Sequence, residues 1–176
     1  MKLIRTGHLC GSVVELMPLA PVMIVALTAI VVMILTAIKR NHNLIATASV
    51  VGLNLAVIDI LFMMFGGAYA PSNVMNMFMV DPFTLLYQLM ILIAALACCT
   101  LSHAYIETYK DNREELYILM LISVAGAMLM VTSSHYASFF ISLELMSIPV
   151  YGLLAYTHQR SKSLEAVSYT HLRAHE

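Results

Sequence analysis

Residues Val13–Ile38 read VVELMPLAPVMIVALTAIVVMILTAI, a stretch in which Glu15 is the single charged residue. The hydrocarbon core of a bilayer takes about 20 mostly apolar residues per helix, and this run is long enough. It follows two basic residues, Lys2 and Arg5, as a signal peptide would, but the apolar part of a signal peptide is only about 7–15 residues long. The stretch therefore reads as a membrane span. Four more of its kind follow, at Leu44–Phe65, Phe83–Ile106, Glu115–Thr132 and Tyr136–Tyr156. None carries a run of charge, and none alternates as a barrel strand does. Helix is the conformation expected of each, because a helix pairs its backbone polar groups within the segment, where no water can reach them. The predicted fold class is an all-α membrane protein with five transmembrane helices.

Composition agrees with this reading. The 176 residues are 61% hydrophobic and 11% charged, against about 45–50% and about 25% in soluble domains. A water-soluble surface cannot be covered with so little charge. No basic tract points to nucleic acid, and no glycine-rich loop points to a nucleotide. Cys10, Cys98 and Cys99 have neither metal-ligand nor disulfide spacing, and the last two read as small apolar residues within a span. The fourteen methionines are scattered packing residues rather than a metal path.

The connections alternate in charge. Lys39, Arg40, Lys110, Arg113, Arg160 and Lys162 follow spans one, three and five, whereas the connections after spans two and four have no Lys or Arg. Only Lys2 and Arg5 lie on that second side. The positive-inside bias then places the N-terminus outside and the end of span five in the cytoplasm.

Among residues that could carry chemistry, Glu144 ranks first. It lies near the middle of span five, in Phe140-Ile-Ser-Leu-Glu144-Leu-Met-Ser-Ile-Pro149. Intramembrane carboxyls are costly and usually face a bundle interior or a wet cavity. A carboxyl poised between desolvation and a nearby cation can load and release a proton. Pro149 lacks the N–H that would bond the Leu145 carbonyl, which leaves that oxygen free one residue from Glu144. The alternative is a neutral carboxyl hydrogen-bonded for packing. Asp59, in span two, and Glu165 are the secondary candidates. Asp59 is equally open to a snorkelled structural role, and Glu165 to a solvated helix start capped by Ser161 or Ser163. Asn54 reads as interhelical glue, Glu15 and Asp81 as interfacial. His103 and His135, near span ends, have a relay reading, though hydrated interfacial histidines are commoner.

Several segments carry a resemblance to a known family: Lys39-Arg-Asn-His42, Val51-Gly-Leu-Asn-Leu-Ala56, Val80-Asp-Pro-Phe-Thr-Leu-Leu-Tyr87, Tyr109-Lys-Asp-Asn-Arg-Glu-Glu-Leu-Tyr117, and the stretch His135–Pro149 running on to Arg160-Ser-Lys-Ser-Leu-Glu-Ala166. Over about Val13–Ala166 the chain resembles the subunit N family of bacterial NADH-quinone oxidoreductase, respiratory complex I. The motif around Glu144 is shared more weakly with sister subunits and with multisubunit sodium/proton antiporters.

The resemblance implies a larger antiporter-like helical bundle of two inverted repeats, of which this chain supplies three leading helices and the start of the first repeat. It implies a membrane-arm subunit of an enzyme, a translocase that couples electron transfer from NADH to quinone to proton translocation. This chain would bind no cofactor and no metal, with NADH, FMN, iron–sulfur clusters and quinone on other subunits. The partners would be other membrane subunits of the complex and the lipid bilayer, with no nucleic acid. Glu144 matches the family's membrane glutamate, whose lysine partner lies on a later helix. Glu165 matches an acidic residue of the family's Ser-Leu-Glu-Ala stretch. After Ala166 the family continues with Lys-Tyr and another span, whereas residues 167–176 here resemble translated adapter sequence. The expected organisation is a membrane domain at 13–166 between two ends, 1–12 and 167–176, that match the family poorly. Such a piece is expected to be inactive alone. A cation/proton antiporter subunit and a non-transporting membrane scaffold remain as alternatives.

Overall fold

A computed structural model describes residues 17–38, 42–66, 72–74, 77–106 and 115–155. A short 3-10 turn at Met17–Leu19 leads into α1 (Ala20–Ile38), followed by α2 (His42–Phe65), a hairpin of β1 (Ser72–Val74) and β2 (Phe78–Val80), α3 (Pro82–Ile106), α4 (Glu115–Thr132) and α5 (Tyr136–Ala155). The five long helices coincide with the five apolar stretches. Each has 18 to 23 residues of membrane-crossing character, at mean hydropathies of 1.6 to 2.7. The beginning of the first stretch, from Val13, lies outside the described residues.

Local chemistry sets the ends. Pro21 falls in the first turn of α1, where its missing N–H has no helical partner to lose. Asp81 and Thr84 cap α3 in the manner of a capping box. The Asp81 N–H donates to Thr84 Oγ1 at 2.7 Å, the Thr84 hydroxyl donates to the Asp81 carbonyl at 2.6 Å, and Leu85 N closes the first turn on the same carbonyl at 3.0 Å. Pro82 then stands at the first helical position, where its fixed φ suits the turn.

α4 is the centre of the bundle. It packs against α1, α3 and α5 and touches α2, while α1 pairs with α2 and α2 with α3. Tyr117, Leu121, Val124, Ala125, Met128 and Thr132 are buried along one face of it, and Gly126 is buried on the other side, against α5. The outer helices bury single seams: Val22, Val25, Ala29 and Val32 on α1, and Leu85, Gln88, Leu92, Ala95 and Cys99 on α3. These steps of three and four residues keep one face toward the bundle.

Small residues bring the helices close, as membrane packing requires where lipid is as apolar as any side chain. A Cβ at Gly52 of α2 would collide with the β-branched Thr28 of α1. Hydroxyls are mostly satisfied within their own helix, such as Thr28 on the Ile24 carbonyl at 2.7 Å and Ser49 on Ile45 at 2.9 Å. Asn54 behaves likewise. It is exposed, and its Nδ2 donates to the Val50 carbonyl of its own helix at 2.8 Å, which corrects its reading as interhelical glue.

The hairpin was not foreseen in the connection after the second span, which has no Lys or Arg. Ser72, Asn73 and Val74 pair antiparallel with Val80, Met79 and Phe78, and Val74 and Val80 are buried. The hairpin then docks on the α4–α5 turn. Phe78 bridges to Ser133, and the Met77 carbonyl accepts from the Ser134 N–H and the Ser138 hydroxyl, both at 2.9 Å.

The α1–α2 contact yields a test. Gly52→Ala should destabilise the chain by about 1–3 kcal/mol through overpacking, and Thr28→Ala in the same chain should recover most of the loss. Reversible unfolding in mixed micelles measures both. A Gly52→Ala chain as stable as the parent would mean that the helices are further apart than described.

Candidate functional site around Glu144

α5 begins at a cap made by His135. Its carbonyl accepts the Phe139 N–H at 3.0 Å, and its Nδ1 accepts the Ala137 N–H at 3.2 Å. A ring nitrogen that accepts carries no proton, so in the neutral ring the proton sits on Nε2. His135, for which the relay reading was the minority one, thus serves the local fold as an N-cap.

From this cap, two faces run along α5. Ser138, Ser142 and Pro149 are buried. Phe140, Ile141, Glu144, Ile148 and Tyr151 are exposed, at helical spacing on the opposite side. The buried side lies on α4, where a Cβ at Gly126 would stand 2.6 Å from Met146 N and 2.9 Å from the Leu145 carbonyl carbon. Farther along the same seam, a Cβ at Gly152 would stand 3.2 Å from Leu119 Cδ1. Seven residues up α4 correspond to six or seven back along α5, so the pair is antiparallel and in one register over two turns. Only 17% of the apolar stretch of α5 is buried, against 28–39% for the other four helices.

Glu144 therefore stands in mid-helix on the face turned away from α4, ringed by Phe140, Ile141, Ile148 and Tyr151. The bond missing at Leu145 is confirmed by position: Pro149 lies inside α5, four residues on. Two further perturbations of the helix lie within three residues of Glu144 in sequence. The Ser142 hydroxyl donates to the Ser138 carbonyl and the Ser147 hydroxyl to the Leu143 carbonyl, both at 2.7 Å.

No other candidate among the described residues is brought to this site. Asp59 lies on α2, half-buried, with Oδ2 inaccessible and without a hydrogen-bond partner among the described residues. Glu165 and Glu15 lie outside the described residues, as does the side chain of His103. Asp81 caps α3. Of the cysteines, Cys98 is exposed and Cys99 buried, and among the described residues no His, Cys, Asp or Glu cluster could hold a metal. Sequence reasoning passed over Gln88, fully buried on α3 with neither amide atom partnered among the described residues. An amide inside an otherwise apolar span was the available signal. Gly126 was also passed over, because a glycine's role depends on what lies against it.

No protein-family model matches the chain. Curated relatives do. It is 82% identical over 151 residues, 86% of its length, to NADH-quinone oxidoreductase subunit N of Acinetobacter baumannii (strain AB0057). It is 48% identical over 160 residues, 89% of its length, to the subunit N of Psychrobacter arcticus. The chain belongs to the NADH-quinone oxidoreductase subunit N family. It spans about a third of the length of these relatives, 30% and 32%. Its fold resembles a chain in the structure of respiratory complex I from Thermus thermophilus with bound aureothin, with a TM-score of 0.65 and 24% identity over 84% of this chain and 31% of that one. Five apolar helices in a subunit N relative make this a multi-pass membrane protein.

The cap is open to measurement. His135→Ala should weaken the start of α5 by about 1 kcal/mol and speed amide exchange at Ala137 and Ser138, while His135→Asn, which keeps a capping acceptor, should not. Unchanged exchange in His135→Ala would remove His135 from the cap.

Proposed function

We propose that this chain works as part of the membrane arm of a proton-translocating NADH:quinone oxidoreductase, and that Glu144 is its proton-carrying group. One observation carries the proposal: a carboxyl in mid-helix on an apolar outer face. Lipid does not tolerate such a group, so this face is covered by protein or lines a wet cavity. The chain spans a third of its relatives, and the remaining helices are available to cover it. The family resemblance implies a lysine on one of them. A cation there favours the carboxylate, and its withdrawal favours the protonated acid, so movement of that positive charge would load and unload Glu144. The free Leu145 carbonyl, one residue on, offers an acceptor beside that path.

Electron transfer belongs elsewhere in this reading. The chain holds no redox cofactor, and NADH, FMN, iron–sulfur clusters and quinone are handled by other subunits with which it assembles. The N-terminus lies in the periplasm and α5 ends at the cytoplasm. Asp59, half-buried on α2 and not brought to this site, takes the structural role in this reading. Glu165 remains a candidate of the same pathway through its place in the Ser-Leu-Glu-Ala stretch. The identity to proteins named subunit N supports this reading over a cation/proton antiporter subunit.

In the full-length subunit, assembled in its complex in inverted vesicles, Glu144→Gln should lower NADH-driven proton pumping by about 10²-fold with assembly intact. Asp59→Asn should pump like the parent. Normal pumping by Glu144→Gln would leave Glu144 a packing residue. Residues 1–166 alone, in vesicles, should pass no protons, and a flux from them would show that no later helix is needed.

A further inference from the structure

Glu144 is carried by the most weakly laddered part of α5. Pro149 gives no N–H to the Leu145 carbonyl, and the Ser142 and Ser147 hydroxyls compete for the carbonyls of Ser138 and Leu143, a pattern that bends helices. A segment with so loose a ladder takes its curve from what it rests on. It rests on Gly126. A Cβ there would be 2.6 Å from Met146 N and 2.9 Å from both the Leu145 carbonyl carbon and Met146 Cα, where ordinary contact begins at 3.4 Å. All three atoms are backbone and cannot swing aside. At Gly152 the same helices meet differently, because there the nearest atom is the end of the flexible Leu119 side chain, at 3.2 Å. The seam thus has one rigid crossing and one yielding one, and the rigid crossing adjoins Glu144.

We propose that Gly126 is a positioning residue for Glu144: its bare Cα seats the Leu145–Met146 peptide against α4 and so sets the depth and direction from which the carboxyl meets whatever covers the outer face of α5. The proposal rests on the proton-carrying reading of Glu144. A side chain at 126 displaces that peptide by a large fraction of an ångström, and misplacement of about 1 Å costs reactions on the order of 10²-fold.

The test uses the full-length subunit assembled in its complex, in inverted vesicles, with Gly126→Ala, Gly152→Ala, Pro149→Ala and Glu144→Gln made singly. The readouts are the amount of assembled complex and the pH profile of protons pumped per NADH oxidised. Gly126→Ala should move the midpoint of that profile by about half a pH unit or more, or lower pumping at least about tenfold. Gly152→Ala should leave the profile in place. An assembled Gly126→Ala complex with the parent's profile overturns the proposal, as does an equal change in both glycine variants, which would signify packing alone. Should Gly126→Ala not assemble, Pro149→Ala reads the same crossing by returning an N–H to the Leu145 carbonyl. A shifted profile supports the proposal, and an unchanged one overturns it. Glu144→Gln separates the two levels: if it pumps like the parent, the reading of Glu144 falls and the proposal with it. If it is inactive while Gly126→Ala behaves as the parent, the positioning role alone falls.

Discussion

Backbone polar groups in hydrocarbon have no water to bond, and the rest of this structure follows from that constraint. It makes every apolar stretch a helix whatever its propensities, and it holds most hydroxyl and amide side chains to carbonyls of their own helix, as at Thr28, Ser49, Asn54 and Ser142. With polar groups spent inside the helices, little cross-linking is left to bind one helix to the next. Close packing has to do it, and close packing needs small residues at the crossings. Gly52 against Thr28 and Gly126 against the Leu145–Met146 peptide are two such places.

The same constraint explains what was legible beforehand. Span positions could be read from the sequence because length and continuous hydrophobicity suffice to specify a membrane helix. Glu144 stood out because a mid-span carboxyl is rare for a physical reason, and the missing bond at Leu145 follows from Pro149 alone. The hairpin could not be read in the same way. Its strands are three residues each, too short to show alternation, and what holds them is the docking of Met77 on Ser134 and Ser138, some sixty residues away in sequence. Asn54 was misread because an amide in a span announces a hydrogen bond but not its direction. Gly126 is the extreme case, since its importance is wholly a property of the helix opposite.

The hairpin also ties the two halves of the bundle together. It leaves α2, enters α3, and spends its Met77 carbonyl on the turn between α4 and α5. The start of α5 is thereby fixed twice, by the His135 cap and by the hairpin, while its middle carries Pro149 and two back-bonding serines. A helix anchored at its end and loosened in its own ladder at the centre takes its curvature near Glu144 from the helix it rests on, at Gly126.

Burial then shows which way this assembly faces. α5 has extensive contact with α4, yet a smaller buried share than any other helix. Both hold only if contact is confined to one side. A helix at the lipid boundary would also be one-sided, but its free side would be uniformly apolar. The free side of α5 is apolar except at its centre, where it presents a carboxyl. Lipid exposure accounts for Phe140, Ile141 and Ile148 but not for Glu144, whereas a protein neighbour accounts for all four. On the proposed reading of Glu144, the face that looks outward here is an inner wall, and α5 is the helix through which these five would meet a protein neighbour or a wet cavity.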